Sequence, residues 1–163
     1  MGPTKYTARS VLETFYDEER RYMSAPPEER DFSGIAALLA PNFSLEQTSA
    51  LPYAGVFTGA EGMQDWIRRM ADYFDVVDVK SPEIFEQQGS DRIVVLSNVH
   101  FRVRKTGEDL VFPFCQAVTV DLENGTMVHM RPFYWDVQEA CTYVDLIHSN
   151  LASKVVLIGG KDN

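Results

Sequence analysis

Residues 109–136 read DLVFPFCQAVTVDLENGTMVHMRPFYWD, and the fold is decided here. Two runs rich in Val, Phe, Thr and Met, 109–123 and 126–137, flank Asn124-Gly125. Both residues of that dipeptide accept positive φ, which makes it a strong hairpin signal. Toward the N-terminus lie two more β-rich runs, 76–87 and 91–105, bounded by the turn signals Gln88-Gly89-Ser90-Asp91 and Lys105-Thr106-Gly107-Glu108. Turns this short leave no room for crossovers, so the four runs predict an antiparallel meander.

The N-terminal half has a helical period. Val11, Leu12, Phe15, Tyr16, Tyr22 and Met23 recur at three- and four-residue spacing, with Glu13, Asp17, Glu18 and Arg20 between them. This predicts an amphipathic helix capped by Thr7 or Ser10 and running through Tyr22, where Ala25-Pro26-Pro27 stops it. A second short helix is expected from Asp31 to about Leu39, with Pro41 just beyond it. Phe43–Gln47 alternates like a half-buried strand. Residues 51–59 carry the Pro and Gly of a loop, with room for a short extended piece. A third helix is expected from Ala60 to about Phe74, burying Met63, Trp66, Ile67, Met70 and Phe74. After the meander, Gln138–Leu151 reads as a terminal helix and Val155–Ile158 as a short apolar tail. Residues 1–163 read as one domain, its core at about 7–150 and a tail at 151–163. Helices gathered on one side of an antiparallel sheet define an α+β fold. A long curved sheet with helices on its concave side encloses a cavity suited to a small molecule.

Composition narrows the function classes. The chain has 163 residues, 45% hydrophobic and 24% charged, enough for one core without disulfides or metal. Fifteen Lys+Arg against 24 Asp+Glu leave a net charge of -9, with a pI near 4.7. Such a surface repels nucleic acid and anionic membranes. No apolar run reaches the roughly 20 residues of a membrane span, and MGPTKYTARS has no signal-like stretch. A cytoplasmic protein is expected, with Cys115 and Cys141 as reduced thiols. His100, His129 and His148 lack metal-ligand spacing, and nucleotide-binding and GxSxG motifs are missing. No metal or cofactor is expected.

Three stretches carry a family resemblance: Val11-Leu12-Glu13-Thr14-Phe15-Tyr16 in the first helix, the run from Leu51 to Gly62 that includes Thr58-Gly59-Ala60-Glu61-Gly62, and the closing hairpin from Asn124 to Asp136. The chain from about Thr7 to His148 resembles the SnoaL-like group of the nuclear transport factor 2-like superfamily. That resemblance implies a cone-shaped α+β barrel, its curved antiparallel or mixed sheet wrapped around N-terminal helices. It implies a homodimer formed through the outer face of the sheet. It also implies relatives that include polyketide cyclases, ketosteroid isomerase, scytalone dehydratase and non-catalytic domains, most of the enzymes working without cofactors.

Candidate residues follow from both sources. Asp136 stands beside Phe133, Tyr134 and Trp135, where partial desolvation raises a carboxyl pKa toward the range of a general acid or base. The resemblance places an acid/base Asp near this strand end; the alternative is a helix cap. Glu46 and Gln47 fall where isomerase-like relatives carry a base, Gln47 at that position and Glu46 beside it. Alternation admits only one of them to the interior, and Gln47 shares parity with Phe43 and Leu45. Tyr16 is placed by the resemblance as a phenol donating to substrate, or else is a core tyrosine. Tyr53 opens the loop over the cone mouth. His100 has the right chemistry for a base, but its parity groups it with Arg102 and Arg104, and His129 groups with Arg131. Asn98 and Gln116 are mid-strand amides that need partners. Trp66, Phe114, Phe133 and Tyr134 complete the expected substrate-binding set, and Phe15, Met70, Phe74, Phe101, Phe112 and Met130 the rest of the wall.

The expected function is cofactor-independent acid/base chemistry on an apolar, oxygenated polyketide or terpenoid intermediate of secondary metabolism: cyclisation, isomerisation or dehydration. Asp136 would be the acid/base, with His100 and Glu46 as further catalytic candidates. The alternative is a non-catalytic dimeric ligand-binding or assembly domain of the same fold. Epoxide hydrolysis would need an Asp–Arg–Asp network, hinted at only by Arg131 and Asp136.

Overall fold

A computed structural model describes residues 5–51, 53–138 and 141. The first helix, α1 (Ala8–Ser24), opens on a reciprocal cap: Thr7 Oγ1 accepts from Ser10 N at 3.0 Å and Ser10 Oγ accepts from Thr7 N at 3.1 Å. The two prolines end it, and a 3₁₀ turn at Pro27–Glu29 leads to α2 (Ser33–Ala36). The second helix is thus shorter than its sequence suggests. Leu39 is already paired with Met127, so sheet hydrogen bonding overrides helical preference from that point.

Strands and a further helix follow in chain order: β1 (Leu39–Gln47), β2 (Gly55–Thr58), α3 (Gly59–Tyr73), β3 (Phe74–Glu86), β4 (Arg92–Val103), β5 (Asp109–Asp121) and β6 (Thr126–Tyr134). They form one six-stranded sheet in the order β2-β1-β6-β5-β4-β3. The meander is antiparallel as expected, and β1 joins it by pairing parallel to β6. The fold is α+β, with an open mixed sheet in place of a closed barrel. The expected terminal helix beyond Gln138 and Cys141, and the apolar tail at 155–158, lie outside the described residues.

Bulges curve the sheet, among them one in the middle of β3 and one in β6. In β3, Ser81 has φ +46° and the register with β4 jumps between Lys80 and Glu83, so Ser81 and Pro82 oppose Ser97. The Ser97 hydroxyl donates to the Lys80 carbonyl at 2.8 Å and holds the bend. In β6 the register with β5 shifts between His129 and Met127, leaving Val128 as the extra residue. Each bulge increases local bend and twist. The β6 bulge lies toward the turn, and Pro132 farther along that strand pairs in register with Gln116.

Alternation along β4, β5 and β6 sends Val99, Phe101, Phe112, Phe114, Val118 and Met130 to the concave face. There α1 lays down Val11, Leu12, Phe15, Tyr16, Tyr22 and Met23, packing mainly across β3, while α3 covers β1 and β2. Phe74 stacks on Phe101 with centroids 4.6 Å apart, and Phe101 meets Phe112 edge-on at 5.5 Å.

The Gly59…Gly62 pattern acquires a physical reason. Gly59 starts α3 with φ +65°, and Gly62 lets the helix close on β2, where an added Cβ would come within 2.9 Å of the Phe57 carbonyl carbon. Gly62→Ala should therefore lower unfolding free energy by about 1–3 kcal/mol in urea denaturation; an unchanged midpoint would show that α3 can lift off at no cost.

Candidate functional site

The concave face and the two long helices converge on a small polar set inside an apolar cone. Tyr16 and Glu19 stand one turn apart on α1, and Gln47 is the last residue of β1. Trp66 and Met70 come from α3, Gln116 from β5 and Tyr134 from β6. All seven line one cavity of about 20 Å³, roughly the space of one water.

Glu19 is the residue that sequence reasoning missed. It is 7% exposed. Burial pushes its carboxyl up to about 8; the neighbouring Arg20 opposes the shift and Asp78 adds to it. Asp78 is itself engaged by Arg20 Nε at 3.2 Å and by Lys80. At neutral pH Glu19 is thus mainly a neutral carboxylic acid. The signal was present in the helix period: Glu19 lies four residues after Phe15, three after Tyr16 and three before Tyr22, in the gap of the apolar stripe. Its acidic and basic neighbours disguised it as part of the solvated face.

Tyr16 Oη donates to Gln116 Oε1 at 2.6 Å, both buried. Its proton is therefore used within the protein, and it offers the cavity an acceptor lone pair. Of the two readings of Tyr16, this arrangement is that of a core tyrosine whose hydroxyl is satisfied within the protein. Burial, with the charges of Glu19 and Cys115, raises the Tyr16 pKa far above the ordinary phenol range. Gln116 finds its partner across the cone, as a buried amide requires.

Gln47 faces inward at 6% exposure, in line with its parity, and both its amide atoms lack hydrogen-bond partners. The Trp66 indole nitrogen and the Tyr53 hydroxyl are likewise buried and unpaired. The Tyr134 hydroxyl lies close enough to Gln47 and Tyr53 for each to favour its ionised form, although burial dominates and raises its pKa. Neither reaches hydrogen-bond geometry with it. The Tyr134 ring packs on Phe101, Phe112 and Phe114, and Phe114 also lines the cavity.

Other candidates lie elsewhere. Glu46 points to the outer face, where its Oε2 accepts from Arg131 Nε at 2.9 Å and faces His129 Nε2 at 3.1 Å. Arg131 first, then His129, hold its carboxyl below the usual range, so Glu46 is an ionised surface acid. Because Arg131 is committed to Glu46, the hint of an Asp–Arg–Asp network through it is not realised. His100 stays on the outer face, its Nε2 2.6 Å from Asp109 Oδ1. Asn98 is exposed on that same face. Phe133 is 50% exposed, because the register that turns Tyr134 inward turns its neighbour out. Asp136 sits two residues past β6, half-buried, and is not among the side chains lining the cavity. Among the described residues no three His, Cys, Asp or Glu side chains gather to hold a metal ion, and no helix is long and apolar enough to cross a membrane.

The comparisons with known proteins bear on the family and the fold. The SnoaL-like domain matches residues 20–130. No curated protein matches the sequence. Among solved structures, an NTF2-like protein of unknown function from Burkholderia pseudomallei superposes with a TM-score of 0.68 at 21% identity, covering 83% of this chain and 95% of its own. TerC, co-crystallised with polyporic acid, gives 0.68 at 18% identity and covers 85% and 98%. A protein provisionally described as a polyketide cyclase, from Xanthomonas campestris, gives 0.66 at 17% identity and covers 84% and 96%. At these identities the likeness shows the fold.

The buried acid has a consequence for stability. An acid whose pKa is raised by folding holds its proton more tightly in the native state. Its contribution is complete below the unfolded value near 4.5 and is lost as pH rises through the native value near 8. Thermal unfolding should therefore show stability falling by a few kcal/mol across that window, and Glu19→Gln should flatten this part of the profile. A profile identical in the variant would remove Glu19 as its source.

Proposed function

The chain belongs to the SnoaL-like domain family, and on that premise we propose that its cone is the site of cofactor-independent acid/base chemistry on a small, uncharged, oxygenated apolar molecule, with Glu19 as the group that exchanges protons. The observation that carries this reading is a carboxyl buried in the cone and raised to about 8. At pH 7 such a group is a proton donor, with roughly a tenth ionised and able to act as a desolvated base. Among the described residues no Lys or Arg lines the cavity, so an anionic substrate would meet no counter-charge there. Gln47, Trp66 and Tyr16 would orient substrate oxygens, and positioning would supply much of the acceleration. Asp136, next to the end of β6, gives up the acid/base role assigned to it from sequence.

The class of reaction we favour is cyclisation, isomerisation or dehydration of a polyketide or terpenoid intermediate in the cytoplasm. The Xanthomonas protein and the polyporic acid complex of TerC support that class by fold alone. We further propose a homodimer through the outer sheet face. Val111 (60% exposed), Trp135 (83%), Phe133, Leu96 and Phe85 form an exposed apolar surface there, more than a monomer's scattered surface residues require. One observation favours a second reading. A free volume of about 20 Å³ suits a non-catalytic domain whose cone is filled by its own side chains.

Kemp elimination of 5-nitrobenzisoxazole, a proton abstraction from carbon, separates these readings. The wild-type rate should rise with pH to a plateau above about pH 8, Glu19→Gln should lose about a hundredfold or more, and Asp136→Asn should stay within a few-fold. The reverse pattern returns the role to Asp136, and a wild-type rate equal to buffer supports the filled cone. For the dimer, Phe133→Glu should shift sedimentation from dimer to monomer; a wild type that sediments as a monomer would overturn that part.

A further inference from the structure

Gln47 is the most exacting polar group in the cone. It is 6% exposed, and neither its amide nitrogen nor its amide oxygen reaches hydrogen-bond geometry with a partner, although the Tyr134 hydroxyl lies close by. Native interiors rarely leave even one such atom unmade. Because both ends are unpaired, an occupant must answer a donor and an acceptor whichever way the amide is turned. The two atoms lie on one edge of a planar group, the edge with which Asn and Gln read adjacent donor and acceptor atoms in a bidentate manner. The Trp66 indole N–H, unpaired and lining the same cavity, adds a second donor. Two donors suit the two lone pairs of a carbonyl oxygen. Among the described residues the lining carries no cation, and its one carboxyl, Glu19, is mainly neutral at pH 7.

We propose that the Gln47 amide, together with the Trp66 indole N–H, is the recognition element for a neutral ligand that presents a carbonyl oxygen and a hydrogen-bond donor side by side, as a lactam, a carboxamide or a hydroxy-carbonyl does. The ligand's carbonyl takes the Gln47 and Trp66 donors, and its N–H or O–H donates to the Gln47 oxygen. A ring-sized molecule exceeds the present free volume, so it enters by displacing Met70 and Met130, which line the cavity and whose unbranched thioethers repack readily. This assignment rests on the cone being a ligand site and adds to that reading the chemistry it selects.

The test is a binding titration of the full chain at pH 7, followed by NMR, with three flat probes of similar size. Quinolin-2(1H)-one carries the paired carbonyl and N–H, quinoline a lone acceptor and 2-naphthol a lone hydroxyl. The wild type should bind the lactam at least about tenfold tighter than either analogue. Gln47→Met, which keeps the volume and removes both polar atoms, should bring the lactam to the level of the other two, and Gln47→Leu should do the same. Equal binding of all three probes by the wild type, or a preference retained in both variants, overturns the Gln47 assignment and leaves the cone as a ligand site. Failure of the wild type to bind any probe overturns both readings together.

Discussion

The seat of α1 against the concave face of the sheet is the constraint on which everything else rests. One stripe of this helix supplies Leu12, Phe15 and Met23 to the core, so the apolar burial that stabilises the domain depends on it. The same stripe delivers Tyr16 and Glu19 to the interior. The polar groups of the cone therefore cannot move without disturbing the principal packing of the fold, and their positions are as fixed as the core itself. A carboxyl held there gives up hydration that no ion pair replaces, and the response available to it is to keep its proton.

The rest of the charge behaves in the opposite way. Arg20 meets Asp17, Arg21 meets Glu18 and Arg69 meets Asp65 along exposed helix faces, where such pairs contribute little to stability. These pairs cancel one another, and the formal net charge of -9 is the excess of 24 acidic over 15 basic residues. The interior differs because its polar atoms are few, buried and only partly matched: Tyr16 and Gln116 satisfy one another, while Gln47 and Trp66 do not find partners.

Much of the fold could be read from the chain because its signals are local. The Thr7 cap, the prolines after α1, the Asn124-Gly125 turn and the period of the strands each act within a few residues. The inward parity of Gln47 and the outward parity of His100 and His129 came from the same rule. What escaped was set by distant partners. The shortening of α2 depends on the Leu39–Met127 pairing, and the bulge at Val128 on the register with β5. Phe133 and Tyr134, adjacent aromatics, could be sorted only once that register was known. Asp136 has its aromatic neighbours in sequence, whereas Glu19 shares its cavity with apolar side chains brought together from α3 and four strands, β3 to β6.

The parallel pairing of β1 with β6 joins segments 85 residues apart, as in the contact of Glu46 with Arg131. Closing so long a loop costs entropy before any contact rewards it, which slows folding relative to the local hairpins of the meander. On a ribosome adding roughly 5–20 residues per second, β1 would wait on the order of ten seconds for its partner to emerge. Throughout that interval its backbone edge, and the apolar side of α3 that rests on it, stay open to other chains. The newly made protein is thus most exposed to aggregation through β1, until β6 is complete and pairs with it.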